Sequence, residues 1–253
     1  MKTKCDSLEV HISINRDELG KKAAQDIYTC ISSLLSTKSE LNIIFAAAPS
    51  QLELFKHLLK LPIPWSHINA FHMDEYIGLP HDAPQSFRNF LDVHLFDHVP
   101  LKSKHYIQGE VLNIAEECQR YEGILASYPP DIVCLGIGEN THLAFNDPPA
   151  KFDDQNIIKV VELDTDCRLQ QVHDGCFKSI EMVPSHALTL TLPTLMSGSY
   201  LFCVVPGNRK AQAVLKTLTE PINESHPSTI LRKHPNATLY LDRESSSLLI
   251  TND

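Results

Sequence analysis

Two stretches of the chain place together side chains able to move protons. Asp74 and Glu75 stand side by side where an apolar run, Ile68–His72, comes to its end. Consecutive residues of extended backbone face opposite ways, so one carboxylate can look into a cleft while the other is held by a salt bridge elsewhere. His142 follows the turn Gly136-Ile137-Gly138 and precedes Asp147 by five residues. An imidazole near a carboxylate, in irregular backbone after a strand, is an acid–base arrangement. Two other patterns fail on their own terms. Gly136-x-Gly138, with Glu162 and Asp164 downstream, imitates a dinucleotide-binding turn, but the third glycine is Thr141. Pro148 and Pro149 also fall where the phosphate-binding helix would continue, at a cost of roughly 3 kcal/mol for a proline there. His94 and His98 are four residues apart on one helical face, as zinc ligands would be, but no third ligand at metal-site spacing completes them.

These residues have to be carried by regular elements, and the chain alternates short apolar runs with amphipathic segments, the pattern of a parallel sheet covered by helices. The spacing predicts helices over Asp17–Leu35 (with Asn15 and Glu18 as a capping box), from Ser50 onward with Ser50 as N-cap, over Ser86–His98, over Ile114–Ala126, and over Lys210–Leu218 behind Asn208. Ser228 is read as the cap of a short last helix. Strands are predicted at Leu41–Ala48, Ile68–His72, Asp131–Leu135, Ile157–Leu163, Ala187–Leu192, Tyr200–Val205 and Ala237–Leu241. In such sheets ligands collect at the carboxyl ends of strands. That singles out Ala47–Ser50, His72–Tyr76, Gly136–Asp147 and Pro206–Lys210.

The chain has 253 residues, 43% of them hydrophobic and 21% charged, and reads as one domain over 1–253 without linker or repeat. The formal charge of -9, with no basic stripe, argues against nucleic acid as a partner. No apolar run approaches a membrane span, and no signal peptide is visible at the start. Seven cysteines at irregular spacing, with no Cys-x-x-Cys pair, indicate a reducing, cytoplasmic compartment.

Phe71-His72-Met73-Asp74-Glu75-Tyr76-Ile77-Gly78, Leu95-Phe96-Asp97-His98-Val99, Gly136-Ile137-Gly138-Glu139-Asn140-Thr141-His142-Leu143-Ala144-Phe145-Asn146-Asp147-Pro148 and Ala187-Leu188-Thr189-Leu190-Thr191 together resemble the glucosamine-6-phosphate deaminase / 6-phosphogluconolactonase family, from about residue 16 to 242. Tyr76, where the lactonases usually have Arg, and the Ala-Phe-Asn continuation resemble the deaminase side. The resemblance implies a three-layer, mostly parallel α/β sheet of modified Rossmann-like, sugar-phosphate isomerase type. It implies conversion of an amino-sugar 6-phosphate to a ketose 6-phosphate with release of ammonia, no metal or cofactor, a small-molecule sugar phosphate as the partner, and a family that includes homo-oligomers.

Residue by residue, the resemblance gives Asp74 the proton transfer between C2 and C1, with Glu75 as its neighbour. It gives His142 the opening of the sugar ring, with Asp147 where the family usually has Glu and Asn140 where it has Asp. Asn can orient the imidazole but cannot stabilise an imidazolium by charge; Glu139 is the nearest replacement. The phosphate would meet Ala48 and Ser50 of an altered loop, Gly138, and Lys210. The family's phosphate arginine, expected near Gly175, is absent, and Arg168 or Lys178 is the expected substitute. A lactonase-like hydrolase and a weakly catalytic sugar-phosphate-binding paralogue are the alternative readings.

Overall fold

The computed structural model describes residues 2–80 and 82–249. In chain order the elements are β1 (Lys2–Cys5), β2 (Leu8–Ile12), α1 (Arg16–Leu35), β3 (Leu41–Phe45), α2 (Leu52–Leu58), β4 (Ile68–His72), β5 (Asp74–Tyr76), α3 (Phe87–His94), β6 (Ser103–His105), α4 (Ile114–Ser127), β7 (Ile132–Leu135), β8 (Ile158–Glu162), α5 (Thr165–His173), β9 (His186–Leu190), α6 (Leu192–Met196), β10 (Tyr200–Val205), α7 (Ala211–Thr219) and β11 (Ala237–Leu241). Eight strands form one sheet in the order β1-β2-β11-β10-β7-β3-β4-β6, parallel throughout except for the β1–β2 hairpin. A second, antiparallel sheet has the order β5-β9-β8.

The central strands are apolar on both faces because both faces are covered. Ile43, Phe45, Ile132, Cys134 and Val204 point to one side, where α1, α2 and α3 bring Ala23, Ile27, Phe55 and Leu91. Ile44, Val133, Leu135, Cys203 and Val205 point to the other, against Tyr121 of α4, Leu195 of α6 and Val214 of α7. This period-two division is what turns near-continuous apolar runs into the middle of three layers, as expected.

Local signals explain some boundaries and miss others. The Asn15 side chain accepts from the Glu18 N–H at 2.9 Å at the start of α1, and Ser86 accepts from the Asn89 N–H at 3.1 Å at the start of α3. Ser50, by contrast, caps nothing: it lies in a 3-10 turn, Pro49–Gln51, and α2 begins at Leu52. The segment read as one helix to His98 breaks at Leu95 and resumes as a 3-10 turn. Asn208 begins a 3-10 turn through Lys210, with α7 starting at Ala211, and Ser228 sits inside a 3-10 stretch, Pro227–Lys233. The strand predicted at Ile68–His72 has those bounds, and after Met73 the chain joins the second sheet as β5. No helix among the described residues is long and apolar enough to cross a membrane.

Helices α1 and α2 cross at Gly20, where a β-carbon would come within 2.6 Å of the Glu53 backbone carbon. Gly20→Ala therefore lowers stability by about 1–3 kcal/mol in denaturant unfolding, although alanine is the better helix former. Unchanged or raised stability would contradict this close approach.

Candidate active site

All four strand ends singled out by the sheet rule converge on one cavity of about 370 Å³. Ala46–Gln51 follow β3, Met73 and Asp74 follow β4, Gly136–Glu139 follow β7, and Pro206–Lys210 follow β10; each group contributes to the lining. A cavity of this size accommodates a small ligand.

Asp74 enters because the chain leaves the large sheet after His72 and pairs with β9 instead, Asp74 lying opposite Thr189. Its carboxylate lines the cavity, is 7% exposed, and has no hydrogen-bond or ion-pair partner among the described residues. Burial, with the nearby Glu75 charge adding to it, raises the Asp74 pKa well above the ordinary carboxylate value. Glu75 points the opposite way, as alternation requires, but backbone N–H groups hold it, rather than a salt bridge. Oε1 accepts from Tyr76 and Phe87 at 2.9 and 3.1 Å, and Oε2 accepts from Arg88 at 3.0 Å, so the carboxylate ties β5 to the N-terminus of α3. Burial pushes its pKa up to about 7, with those donors pulling the other way. Behind both, His72 is fully buried; its Nε2 accepts from the Ile107 N–H at 2.7 Å, and burial takes its pKa down to about 3. It is a neutral strut.

His142 lines the same cavity and is buried. Its ring lies over Gly138, where a β-carbon would approach the imidazole to 2.2 Å, so only glycine leaves room for it. The turn closes through Gly138 N–H to the His142 carbonyl (2.9 Å) and Thr141 N–H to the Gly138 carbonyl (3.0 Å). Thr141 takes a φ of 78°, a left-handed conformation that a β-branched residue rarely adopts. Asp147 places a carboxylate oxygen 3.0 Å from Nδ1, close enough for an ion pair though not aligned as a hydrogen bond. Asn140 clamps the arrangement from behind, donating to Asp147 Oδ1 at 3.0 Å while its own oxygen accepts from the His142 N–H at 3.1 Å. Burial alone would raise the Asp147 pKa; contact with His142 and the Asn140 donor outweigh it and leave it lowered. Asn140 and Asp147 thus stand behind the imidazole and do not line the cavity.

Lys210 lines the same cavity and is 8% exposed, and its ammonium has no hydrogen-bond or ion-pair partner among the described residues. Burial lowers its pKa, while Asp174 and Glu139 oppose that. Ala48 and Ser50 line the cavity as expected, the Ser50 hydroxyl accepting from the Gln51 side chain at 3.1 Å. Arg168 does not reach it: its guanidinium is spent on the carbonyls of Ile180 (2.7 Å) and Val183 (3.0 Å) and lies outside the lining, as does the exposed Lys178. The cations that do line the cavity beside Lys210 are Arg16, which holds the Pro49 carbonyl and Glu53, and Arg209. Glu139 also lines it, 3.8 Å from the His173 ring, as do Gln170, Gln171 and Asp174 of the α5 region. The apolar residues of α5 are too few to show a face, so its sequence predicts no element there.

An unpaired carboxylate, a carboxylate-backed imidazole and an unpaired ammonium around one cavity are an arrangement able to move protons on a small anionic ligand. The family model "Glucosamine-6-phosphate isomerases/6-phosphogluconolactonase" matches residues 14–240, and the chain belongs to that family. It is 36% identical over 231 residues to a glucosamine-6-phosphate deaminase of Bacillus cytotoxicus, covering 91% of this chain and 87% of that one. With a Bacillus thuringiensis protein of the same name it shares 34% over 229 residues, 90% and 86% of the two chains. Among solved structures, a monomeric glucosamine-6-phosphate deaminase superposes with a TM-score of 0.87 at 29% identity, over 94% of this chain and 99% of that one. A 6-phosphogluconolactonase of Thermotoga maritima superposes with a TM-score of 0.76 at 19% identity, over 92% and 98%, and shares the fold.

The Glu75 carboxyl has a pKa raised from 4.5 to about 7, so the folded state holds that proton more tightly than the unfolded chain between those values. Its contribution to stability is present below pH 4.5 and is lost as pH rises to 7. In Glu75→Gln the decline of unfolding free energy between pH 4.5 and 7 becomes shallower; an unaltered slope would contradict a buried, proton-holding Glu75.

Proposed function

We propose that the chain is an isomerising deaminase that converts glucosamine 6-phosphate to fructose 6-phosphate and ammonia. The observation that carries this reading is that a carboxylate and an imidazole, both buried, line one cavity together with a buried lysine whose ammonium has no partner among the described residues. An ammonium in that state is suited to an anion, and a phosphate on Lys210, Ser50 and the backbone near Ala48 would fix the carbon chain so that distant binding energy positions the reacting carbons.

His142, oriented by Asp147 and Asn140, takes the proton of the C1 hydroxyl as the pyranose opens and returns it to the ring oxygen. In the open chain the C1 carbonyl acidifies the C2 proton. Asp74, ionised, removes it and delivers it to C1. The electron pair left at C2 passes through the enol-amine, and the C2 iminium that results adds water and expels ammonia, leaving the ketose. A carboxylate with a raised pKa is a stronger base than an exposed one, which suits abstraction from carbon. Glu75 contributes through its charge on Asp74 and does not touch the ligand. The seven free thiols fit a reducing, cytoplasmic location.

Asp74→Asn keeps the shape and removes the base, and its kcat for ammonia release from glucosamine 6-phosphate falls by ~10²–10⁴. Lys210→Ala raises KM by about 10- to 100-fold, the equivalent of a hydrogen bond to a charged group at ~1.5–3 kcal/mol. Full turnover in Asp74→Asn would remove the proposed base. Acid production from 6-phosphogluconolactone without ammonia from any hexosamine 6-phosphate would establish the hydrolase reading instead, and binding without turnover of either would establish the paralogue.

A further inference from the structure

Behind the imidazole a second set of donor atoms meets, two of its three residues lying outside the cavity lining. His142 Nδ1, an Asp147 carboxylate oxygen and the Cys167 sulfur all lie within 4.8 Å of one another. Cys167 is completely buried in the first turn of α5, where its N–H donates to the Asp164 side chain at 2.6 Å, and the reaction described above has no use for its thiol. His142 Nδ1 and Asp147 Oδ2 are both buried without a hydrogen-bond partner among the described residues, and His142 is only 7% exposed. Nitrogen, carboxylate oxygen and sulfur together form a borderline-soft donor set. A tetrahedral Zn²⁺ with bonds of about 2.0–2.3 Å keeps its donors roughly 3–4 Å apart, so the cluster needs to contract by only about an ångström at its widest.

We propose that His142, Asp147 and Cys167 form an inhibitory site for a thiophilic divalent cation of the Zn²⁺ class. On binding, the ion takes the Nδ1 lone pair, an Asp147 oxygen and the sulfur as thiolate; the thiol proton leaves to solvent, and nothing is oxidised or reduced. The imidazole then carries its one proton on Nε2, the nitrogen that lies over Gly138 in the cavity wall. It can donate there but can no longer accept, and Asp147 no longer orients it. The loss of activity rests on the role proposed for His142; binding of the ion does not.

The experiment uses the full chain, with Co²⁺ as the spectroscopic probe and Zn²⁺ as the inhibitor. One equivalent of Co²⁺ gives a near-ultraviolet thiolate-to-cobalt charge-transfer band that Zn²⁺ abolishes. Cys167→Ser loses that band, and Cys176→Ser keeps it. In a metal-buffered assay Zn²⁺ lowers ammonia release by at least ~10-fold in the wild type and Cys176→Ser, as loss of one acid–base group requires, and leaves Cys167→Ser nearly unaffected. Zinc-edge X-ray absorption on the wild type, which depends on no variant, finds one sulfur at ~2.3 Å with nitrogen or oxygen at ~2.0 Å. A zinc shell without sulfur, a cobalt band retained in Cys167→Ser, or stoichiometric binding with unchanged turnover would overturn the proposal. A chain that binds Co²⁺ through Cys167 but deaminates no hexosamine phosphate would refute the proposed function and leave the metal site standing.

Discussion

A carboxyl group taken out of water with no counter-charge is among the costlier things a fold can hold, and the site depends on one. Asp74 is kept in place by backbone rather than by a partner for its charge. The chain leaves the eight-stranded sheet at Met73 and is caught at once by β9, through the Leu190 N–H on the Met73 carbonyl at 2.8 Å and the Asp74–Thr189 register. Glu75 fastens the other side of the same strand to the start of α3. With both neighbours immobilised, Asp74 cannot turn away from the cavity to find water elsewhere, so the cost appears as a raised pKa, which is useful in a base.

The imidazole is supported by a different economy of parts. Asn140 holds both the His142 backbone and the Asp147 carboxylate, so a neutral amide does the orienting and one short carboxylate supplies the charge. The family's usual aspartate at this position would place a second charge against Asp147, and here Asn140 avoids that. Glu139, the sequence-level candidate for a replacement charge, faces the cavity near His173 instead of the ring's rear. The left-handed Thr141 and the bare Gly138 are the local constraints that let the ring lie flat against the turn.

Much of this was legible in the residues. The doubly apolar runs at Leu41–Phe45 and Ile132–Leu135 can only be central strands, and once they are, the sheet rule leads to the four segments that do line the cavity. Asn15 and Ser86 declare their helix starts because capping is a local hydrogen bond. What could not be read was set by distant partners. The change of sheet at Met73 depends on β9, more than a hundred residues away. Helix α5 has little apolar periodicity, since its inward side is Gln170, Gln171 and Cys167, so the residues it brings to the cavity went unnoticed. Arg168 has the charge for the expected role, but two carbonyls of the Ile180–Val183 segment claim it. Ser50 looks like a helix cap until Pro49 begins a 3-10 turn ahead of it.

The claim that one open-chain sugar phosphate bridges Asp74, His142 and Lys210 is tested most directly by a structure of the chain with the reduced, unreactive amino-hexitol 6-phosphate. The account requires the phosphate on the Lys210 ammonium and the C1–C2 end between the Asp74 carboxylate and the His142 ring. A phosphate seated away from Lys210, or a ligand whose C1–C2 end touches neither side chain, would contradict it.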